Sequence, residues 1–255
     1  MKRVILPLAL LLATFATAGE QFAMSDADRA MYTEMLENNP ADIYVEEGGE
    51  LLEENLGGEE ALAKFLGISE EELPKYIAGF PRYIKKMGNV VVVDQVLQAM
   101  QAEQGKEQTK LKDAKMFSML AYVKSLANDE QFTIDINADE HIKASYDLGK
   151  ETFMTARGGR GLSCNSCHSK DIVGMVLRTQ PLPDLGESGT GATWPAYRMT
   201  KSSLRTLQRR FQGCMKNALL KVIPIGSKEM VGLEVYVSTL AQEKKKAIAI
   251  PGLKR

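Results

Sequence analysis

The sequence predicts a mainly α-helical protein built of two similar domains, and three observations support this prediction. Apolar side chains recur at helical spacing over long stretches, for example in residues 112–128. The segments Met116–Ala127 and Met230–Ala241 share the pattern Met-x-x-apolar-x-x-Tyr-Val-x-Ser/Thr-Leu-Ala, which indicates an internal repeat. Residues 164–168 read Cys-Asn-Ser-Cys-His, a motif whose spacing is typical of c-type haem attachment.

The Cys-x-x-Cys-His motif predicts the cofactor. Cys164 and Cys167 would bond to the two haem vinyl groups, and His168 would ligate the iron. The whole chain has three cysteines and two histidines, so we expect one covalently attached haem c.

Both copies of the repeated segment resemble the last helix of a class I cytochrome c. The residues around Gly48 and Gly149 resemble its first helix. The chain is therefore expected to hold two cytochrome c-like domains. The first domain contains no cysteine and is expected to lack haem.

The N-terminus predicts export. Lys2 and Arg3 precede a short apolar run, and Ala16-Thr17-Ala18 matches a signal-peptide cleavage site. The run is shorter than the roughly 20 residues that span a bilayer. We therefore expect a periplasmic protein, cleaved near Ala18 and not inserted in the membrane.

These signals predict four segments along the chain. They are a signal peptide (1–18), a haem-less cytochrome c-like domain (19–128), a haem-binding cytochrome c domain that contains the third cysteine (139–241) and a C-terminal tail (242–255).

The charge balance narrows the function classes. The chain has 32 basic and 33 acidic residues and a formal net charge of −1. This balance gives no indication of a nucleic-acid-binding protein. Three cysteines, two of them in the haem motif, also exclude a disulfide-dense scaffold.

Start and stop signals predict the individual elements. The expected helices are a polar one from Ser25 to before Pro40, then 41–56, 58–66, 69–76, 112–128, and 202–220 with Ser202-Ser203 as N-cap. Val90–Val93 is compatible with a strand or with the start of a buried helix.

Cys214 is the cysteine that the haem motif does not use. It falls on one apolar stripe with Leu204, Leu207, Phe211 and Ala218. A low-spin cytochrome usually has a second axial ligand, and the residues themselves leave this ligand open between Cys214 and a methionine. The candidate methionines are Met175, Met199, Met215 and Met230.

Three ordered motifs resemble the SoxA family, the larger cytochrome subunits of SoxAX complexes in bacterial thiosulfate oxidation. They are residues 164–168, 189–198 and 207–214. The resemblance is strongest over 139–241 and weaker over 38–126. It implies that Cys214 is both the second iron ligand, with His168, and the catalytic sulfur. It also implies that Arg210 is an active-site arginine.

The resemblance implies an L-cysteine S-thiosulfotransferase. Such an enzyme couples thiosulfate oxidatively to a cysteine of the carrier protein SoxYZ, while electrons leave through haem. A SoxX-like cytochrome is the implied partner in a heterodimer. Arg209 and Lys216 lie near enough in sequence to assist Arg210. Two alternatives are an electron-transfer cytochrome with a methionine ligand and a thiosulfate dehydrogenase that forms tetrathionate.

Overall fold

A computed structural model describes residues 26–177 and 180–254. The predicted signal peptide lies outside the described residues. The first half of the described chain contains α1 (Asp26–Glu37), α2 (Asp42–Leu56), α3 (Gly58–Leu66), α4 (Leu73–Ile77), β1 (Arg82–Ile84), β2 (Asn89–Val91), α5 (Val93–Glu103) and α6 (Ala114–Ser125).

The second half repeats this arrangement with insertions. It contains α7 (Glu140–Met154), α8 (Asn165–His168), β3 (Val176–Leu177), β4 (Gln180–Pro181), β5 (Ala196–Arg198), β6 (Ser203–Arg205), α9 (Leu207–Asn217), α10 (Lys228–Glu243) and β7 (Gly252–Lys254). This mainly α-helical, two-domain architecture confirms the predicted fold class.

Equivalent elements of the two halves begin at a constant separation of 114 residues. The equivalent pairs are β1 and β5, β2 and β6, α5 and α9, and α6 and α10. Side-chain hydrogen bonds follow the same register. Gln98 Nε2 donates to the carbonyl of Thr109 at 2.8 Å, and Gln212 Nε2 donates to the carbonyl of Ile223 at 2.8 Å. The repeat therefore extends well beyond the two helices in which the sequence revealed it.

Each domain is organised around one close helix crossing. A Cβ atom built on Gly48 of α2 would lie 2.0 Å from the carbonyl oxygen of Ser118 on α6. The same atom on Gly149 of α7 would lie 1.8 Å from the carbonyl oxygen of Gly232 on α10. Glycine is required at both positions because a larger residue would push the two helix backbones apart.

Local sequence determines where several of the helices start and end. Gly57 ends α2 at a positive φ of 86°, as the Gly57-Gly58 signal predicted. Ser69 and Glu72 form a capping box before α4. Val90–Val93 contributes to both of the structures considered, a strand and a helix start, because β2 ends at Val91 and α5 starts at Val93.

One large buried cluster spans both domains. Leu97 and Met119 of the first domain belong to the same buried cluster as Val235 and Ile250 of the second. The segment 242–255, predicted as a tail, contributes Ile248 and Ile250 to this core, and its strand β7 pairs in parallel with β5.

Candidate active site

The Cys-x-x-Cys-His motif forms a single helical turn. The backbone N–H groups of Cys167 and His168 both donate to the carbonyl of Cys164 at 3.1 Å. Ser163 and Ser166 fix the start of this turn, because the hydroxyl of each accepts the backbone N–H of the other at 3.0–3.2 Å. Cys164 and Cys167 are free, half-buried thiols.

The imidazole of His168 is held in one orientation. Its Nδ1 lies 3.0 Å from the carbonyl oxygen of Pro183, which accepts a hydrogen bond from the Nδ1–H tautomer. This leaves Nε2 free to bind a metal. Burial lowers the pKa of His168, and the nearby cation Arg210 lowers it further. The neutral ring that a metal ligand requires is therefore favoured.

These residues fit a haem. Two unpaired thiols stand one turn apart, and a neutral imidazole with a free Nε2 follows directly after the second thiol. Burial raises the pKa of the Cys164 thiol to about 11, and the nearby Cys214 adds to the rise. Cys214 is thus close enough to Cys164 to influence its charge, although 50 residues separate the two cysteines in the sequence.

Helix α9 brings Cys214 to the site, but it starts later than predicted. The N-cap is Thr206, whose hydroxyl accepts the backbone N–H of Arg209 at 3.3 Å. The predicted N-cap, Ser202-Ser203, is wrong because Ser203 belongs to β6, where it pairs with Arg198 of β5. Leu204 is accordingly a buried strand residue rather than a member of the helical stripe.

The apolar face of α9 packs in two directions. Leu207 and Phe211 contact a small cluster around Trp194, and Phe211 also contacts the cluster that includes Cys164. Gln212 and Met215 are buried on the same helix. This packing orients α9, and with it Cys214, relative to the motif.

The methionines predicted as alternative ligands lie in different surroundings. Met215 is buried, and its thioether accepts the backbone N–H of Ile223 at 3.5 Å. Met230 is fully buried in α10, whereas Met175 is 57% exposed. Met199 is half-buried in the turn that follows β5.

The remaining predicted residues, Arg209 and Lys216, do not cluster, and neither does the second histidine of the chain, His141. Arg209 donates to Gln212 Oε1 at 2.9 Å, and Lys216 is exposed near the end of α9. His141 is exposed in the first turn of α7 and stacks on the ring of Tyr83, with 4.1 Å between ring centroids.

The sequence alone did not identify two features of the charged residues: the position of Arg198 and a buried cluster of three charged side chains. Arg198 on β5 lies within electrostatic range of Arg210 and Cys214. Asp94, Lys124 and Glu234 are buried together between the domains, around a cavity of about 20 Å³. An alignment of the two repeats could have revealed Arg198, because the equivalent residue in the first domain is the apolar Ile84. No local pattern marked the buried cluster.

The fold and the site together define a cytochrome c-type protein of two domains, in which the second carries the haem-binding motif. The family model described as "SoxA/TsdA, cytochrome c domain" matches residues 47–132 and 148–245, well over half of the chain. The chain therefore belongs to the SoxA/TsdA cytochrome c domain family.

Individual relatives agree with this assignment. The chain is 29% identical, over the full length of both proteins, to "L-cysteine S-thiosulfotransferase subunit SoxA" of Hydrogenophilus thermoluteolus. A protein of the same name from Chlorobaculum thiosulfatiphilum is 26% identical over 86% of this chain and 74% of its own.

A solved structure shows the same fold. The SoxXA crystal structure from P. pantotrophus superposes with a TM-score of 0.72 at 20% identity, covering 89% of this chain and 84% of the other.

Proposed function

We propose that the protein is an L-cysteine S-thiosulfotransferase that couples thiosulfate to a cysteine of a SoxYZ-type carrier, with Cys214 as the catalytic sulfur. The observation that carries the proposal is that Cys214 lies within electrostatic range of Cys164 of the haem motif and of Arg198, with Arg210 one helical turn before it on α9. The names of the relatives from Hydrogenophilus thermoluteolus and Chlorobaculum thiosulfatiphilum support this activity.

The haem would be held covalently by Cys164 and Cys167, with His168 and Cys214 as iron ligands. One haem is proposed, because the described first domain offers no cysteine. When bound, the haem supplies a one-electron acceptor next to the reacting sulfur.

The residues of the chain would act in two steps. Cys214 loses its proton and two electrons while its sulfur bonds to the sulfane sulfur of thiosulfate, which gives Cys214–S–S–SO₃⁻. The thiolate of the carrier then attacks this sulfane sulfur and releases the Cys214 thiolate, by the chemistry of thiol–disulfide exchange. Arg210 would hold the sulfonate oxygens by charge-assisted hydrogen bonds, with Arg209 and Lys216 at greater distance.

The proposed partner is a SoxX-like cytochrome subunit. A single haem takes one electron at a time, whereas the coupling releases two, so a second acceptor is needed. The relatives are named as subunits, and the structural relative is a SoxXA complex. Co-expression with the partner should give a heterodimer on size-exclusion chromatography, and two separate peaks would contradict this proposal.

The proposed location is the periplasm, with cleavage near Ala18 and a mature chain made of the three segments that follow the signal peptide. No helix in the described part of the chain is long and apolar enough to cross a membrane. Fractionation of cells followed by N-terminal sequencing tests both location and cleavage.

Replacement of Cys214 tests the proposed function directly. Cys214→Ala should retain covalently bound haem but should no longer form the carrier–S–S–SO₃⁻ adduct, which mass spectrometry of the carrier detects. Asn217→Ala, an exposed position on the same helix, is the matched control. Normal adduct formation by Cys214→Ala would exclude the assignment. Thiosulfate oxidation to tetrathionate without the carrier would instead favour a thiosulfate dehydrogenase.

A further inference from the structure

Arg198 lies within electrostatic range of Cys214, on a strand that is paired on both sides. It is the last residue of β5, the central strand of the three-stranded sheet β6-β5-β7. It pairs with Ser203 on one side and with Lys254 on the other. The backbone under the side chain is thus fixed from both sides.

The guanidinium of the half-buried Arg198 makes few hydrogen bonds. One terminal nitrogen donates weakly to the hydroxyl of Thr200 at 3.4 Å. The Nε is buried and makes no hydrogen bond. Among the described residues, none of the ion pairs includes Arg198, Arg210 or Lys254. A partly buried charge without an ionic partner loses part of its hydration, and a bound anion would compensate for that loss.

The charges around Arg198 are mostly of one sign. Arg210 and Lys254 are its nearby cations, and Cys214 is the nearby group of opposite sign in its thiolate form. Burial and the neighbouring positive charge lower the pKa of both Arg198 and Lys254. This environment is suited to an anion with more than one negative charge.

The first domain shows that the fold itself does not need these charges. At the constant separation of 114 residues, Arg198, Arg210 and Cys214 correspond to three apolar residues. They are Ile84, Val96 and Met100, which are 6%, 1% and 2% exposed. The same strand and helix are therefore built without polar groups at the three positions. The two arginines and the cysteine occur together in the domain that carries the haem motif.

We infer that Arg198 binds the sulfonate oxygens of thiosulfate together with Arg210, and so selects a doubly charged sulfur oxyanion for attack at Cys214. This inference rests on the proposed function and extends it to a residue outside the predicted site. Two guanidiniums balance the two negative charges of the substrate. The planar guanidinium group of arginine can donate two parallel hydrogen bonds to an oxyanion, which the ammonium group of a lysine cannot do.

The test measures anion binding separately from turnover. The holoprotein with Cys214→Ala, which cannot form the sulfur adduct, is dialysed against ³⁵S-thiosulfate with and without Arg198→Gln. We expect Arg198→Gln to weaken binding by about 10-fold or more, as loss of a charged hydrogen bond does. Arg198→Lys should restore part of the affinity. Arg160→Gln, an exposed arginine of the same domain, is the control and should leave the affinity unchanged.

Two further measurements keep the inference separate from folding and from haem binding. Arg198→Ile, which copies the residue of the first domain, should fold and lose the same affinity. In the enzyme with Cys214 intact, Arg198→Gln should raise KM for thiosulfate far more than it lowers kcat.

An unchanged thiosulfate affinity of the Arg198→Gln variant would overturn the inference. It would do so even if the haem midpoint potential of that variant shifted. Absence of thiosulfate binding by the parent protein would also overturn it. Failure of carrier coupling together with Arg198-dependent thiosulfate binding would remove the proposed function but leave the anion site in place.

Discussion

Met100 of the first domain and Cys214 of the second occupy equivalent positions, each the eighth residue of its helix. Met100 is buried in the main core, whereas Cys214 is half-buried beside the haem motif. The same helix thus carries a packing residue in one domain and the proposed catalytic cysteine in the other.

This equivalence predicts the outcome of Cys214→Met. The variant should fold and keep its covalent haem, since Cys164 and Cys167 are untouched. Carrier coupling should fall by at least about 1000-fold, because a thioether cannot form the persulfide-type bond. Coupling is measured by the mass of the carrier, and haem attachment by absorbance after denaturation. Activity within 10-fold of the parent would contradict the assignment.

Arg210→Ala should act mainly on substrate capture. The loss of one guanidinium from a two-arginine site should raise KM for thiosulfate by about 10- to 100-fold, with a smaller change in kcat. Steady-state kinetics at saturating carrier measure this effect. An unchanged KM would remove Arg210 from the substrate site. Asn217→Ala again provides the control on the same helix.

Gly149→Ala should destabilise the second domain strongly. The added methyl group would overlap the carbonyl of Gly232, and two backbones must separate to accept it. We expect a loss of about 2–4 kcal/mol in the free energy of unfolding. Gly159→Ala, which meets no atom within 4 Å, should change it by less than about 0.5 kcal/mol. Denaturant titrations of the two variants decide between these values.

Asp94 should make stability depend on pH. Burial, followed by the nearby Glu234, raises the pKa of Asp94 to about 7, while Lys124 and backbone hydrogen bonds act in the opposite direction. The folded chain therefore binds this proton more tightly than the unfolded chain. Stability contributed by the group falls as pH rises from about 4 to about 7. Burial raises the pKa of Glu234 as well, which adds to the same trend.

Asp94→Asn should remove most of this dependence. The amide has a similar shape and carries no charge, so the variant should gain stability relative to the parent as pH rises, by at most about 4 kcal/mol. Thermal unfolding at pH 5 and pH 8 measures the difference. Asp171→Asn, an exposed loop position, is the control. Parallel pH profiles of the parent and Asp94→Asn would contradict the prediction.

The intact mass of the exported protein should correspond to a chain beginning near Gly19 with one haem. Replacement of both Cys164 and Cys167 by Ser should leave no haem on the denatured chain, since no other Cys-x-x-Cys-His motif exists in the sequence. A mass with a second haem would contradict the single-haem proposal.

Local signals predicted the elements that depend on neighbouring residues. The turn at Gly57, the helix from Gly58 to Leu66 and the strand-to-helix change near Val92 all follow from backbone preferences within a few residues. Ser202-Ser203 failed as an N-cap because strand pairing with β5 competed with helix initiation there. Such pairing depends on chain segments that are distant in sequence.

The sequence by itself determined the haem-binding motif, the repeat of two similar domains and the family of the protein. All three can be recognised from short stretches of sequence in which residue types and spacings are characteristic. Only the tertiary structure decided that Cys214 comes within electrostatic range of Cys164, that Arg198 comes within range of Arg210, and that Asp94, Lys124 and Glu234 are buried together. These arrangements join segments that are distant in sequence and that only the packing of the helices and strands brings together, so no local pattern records them.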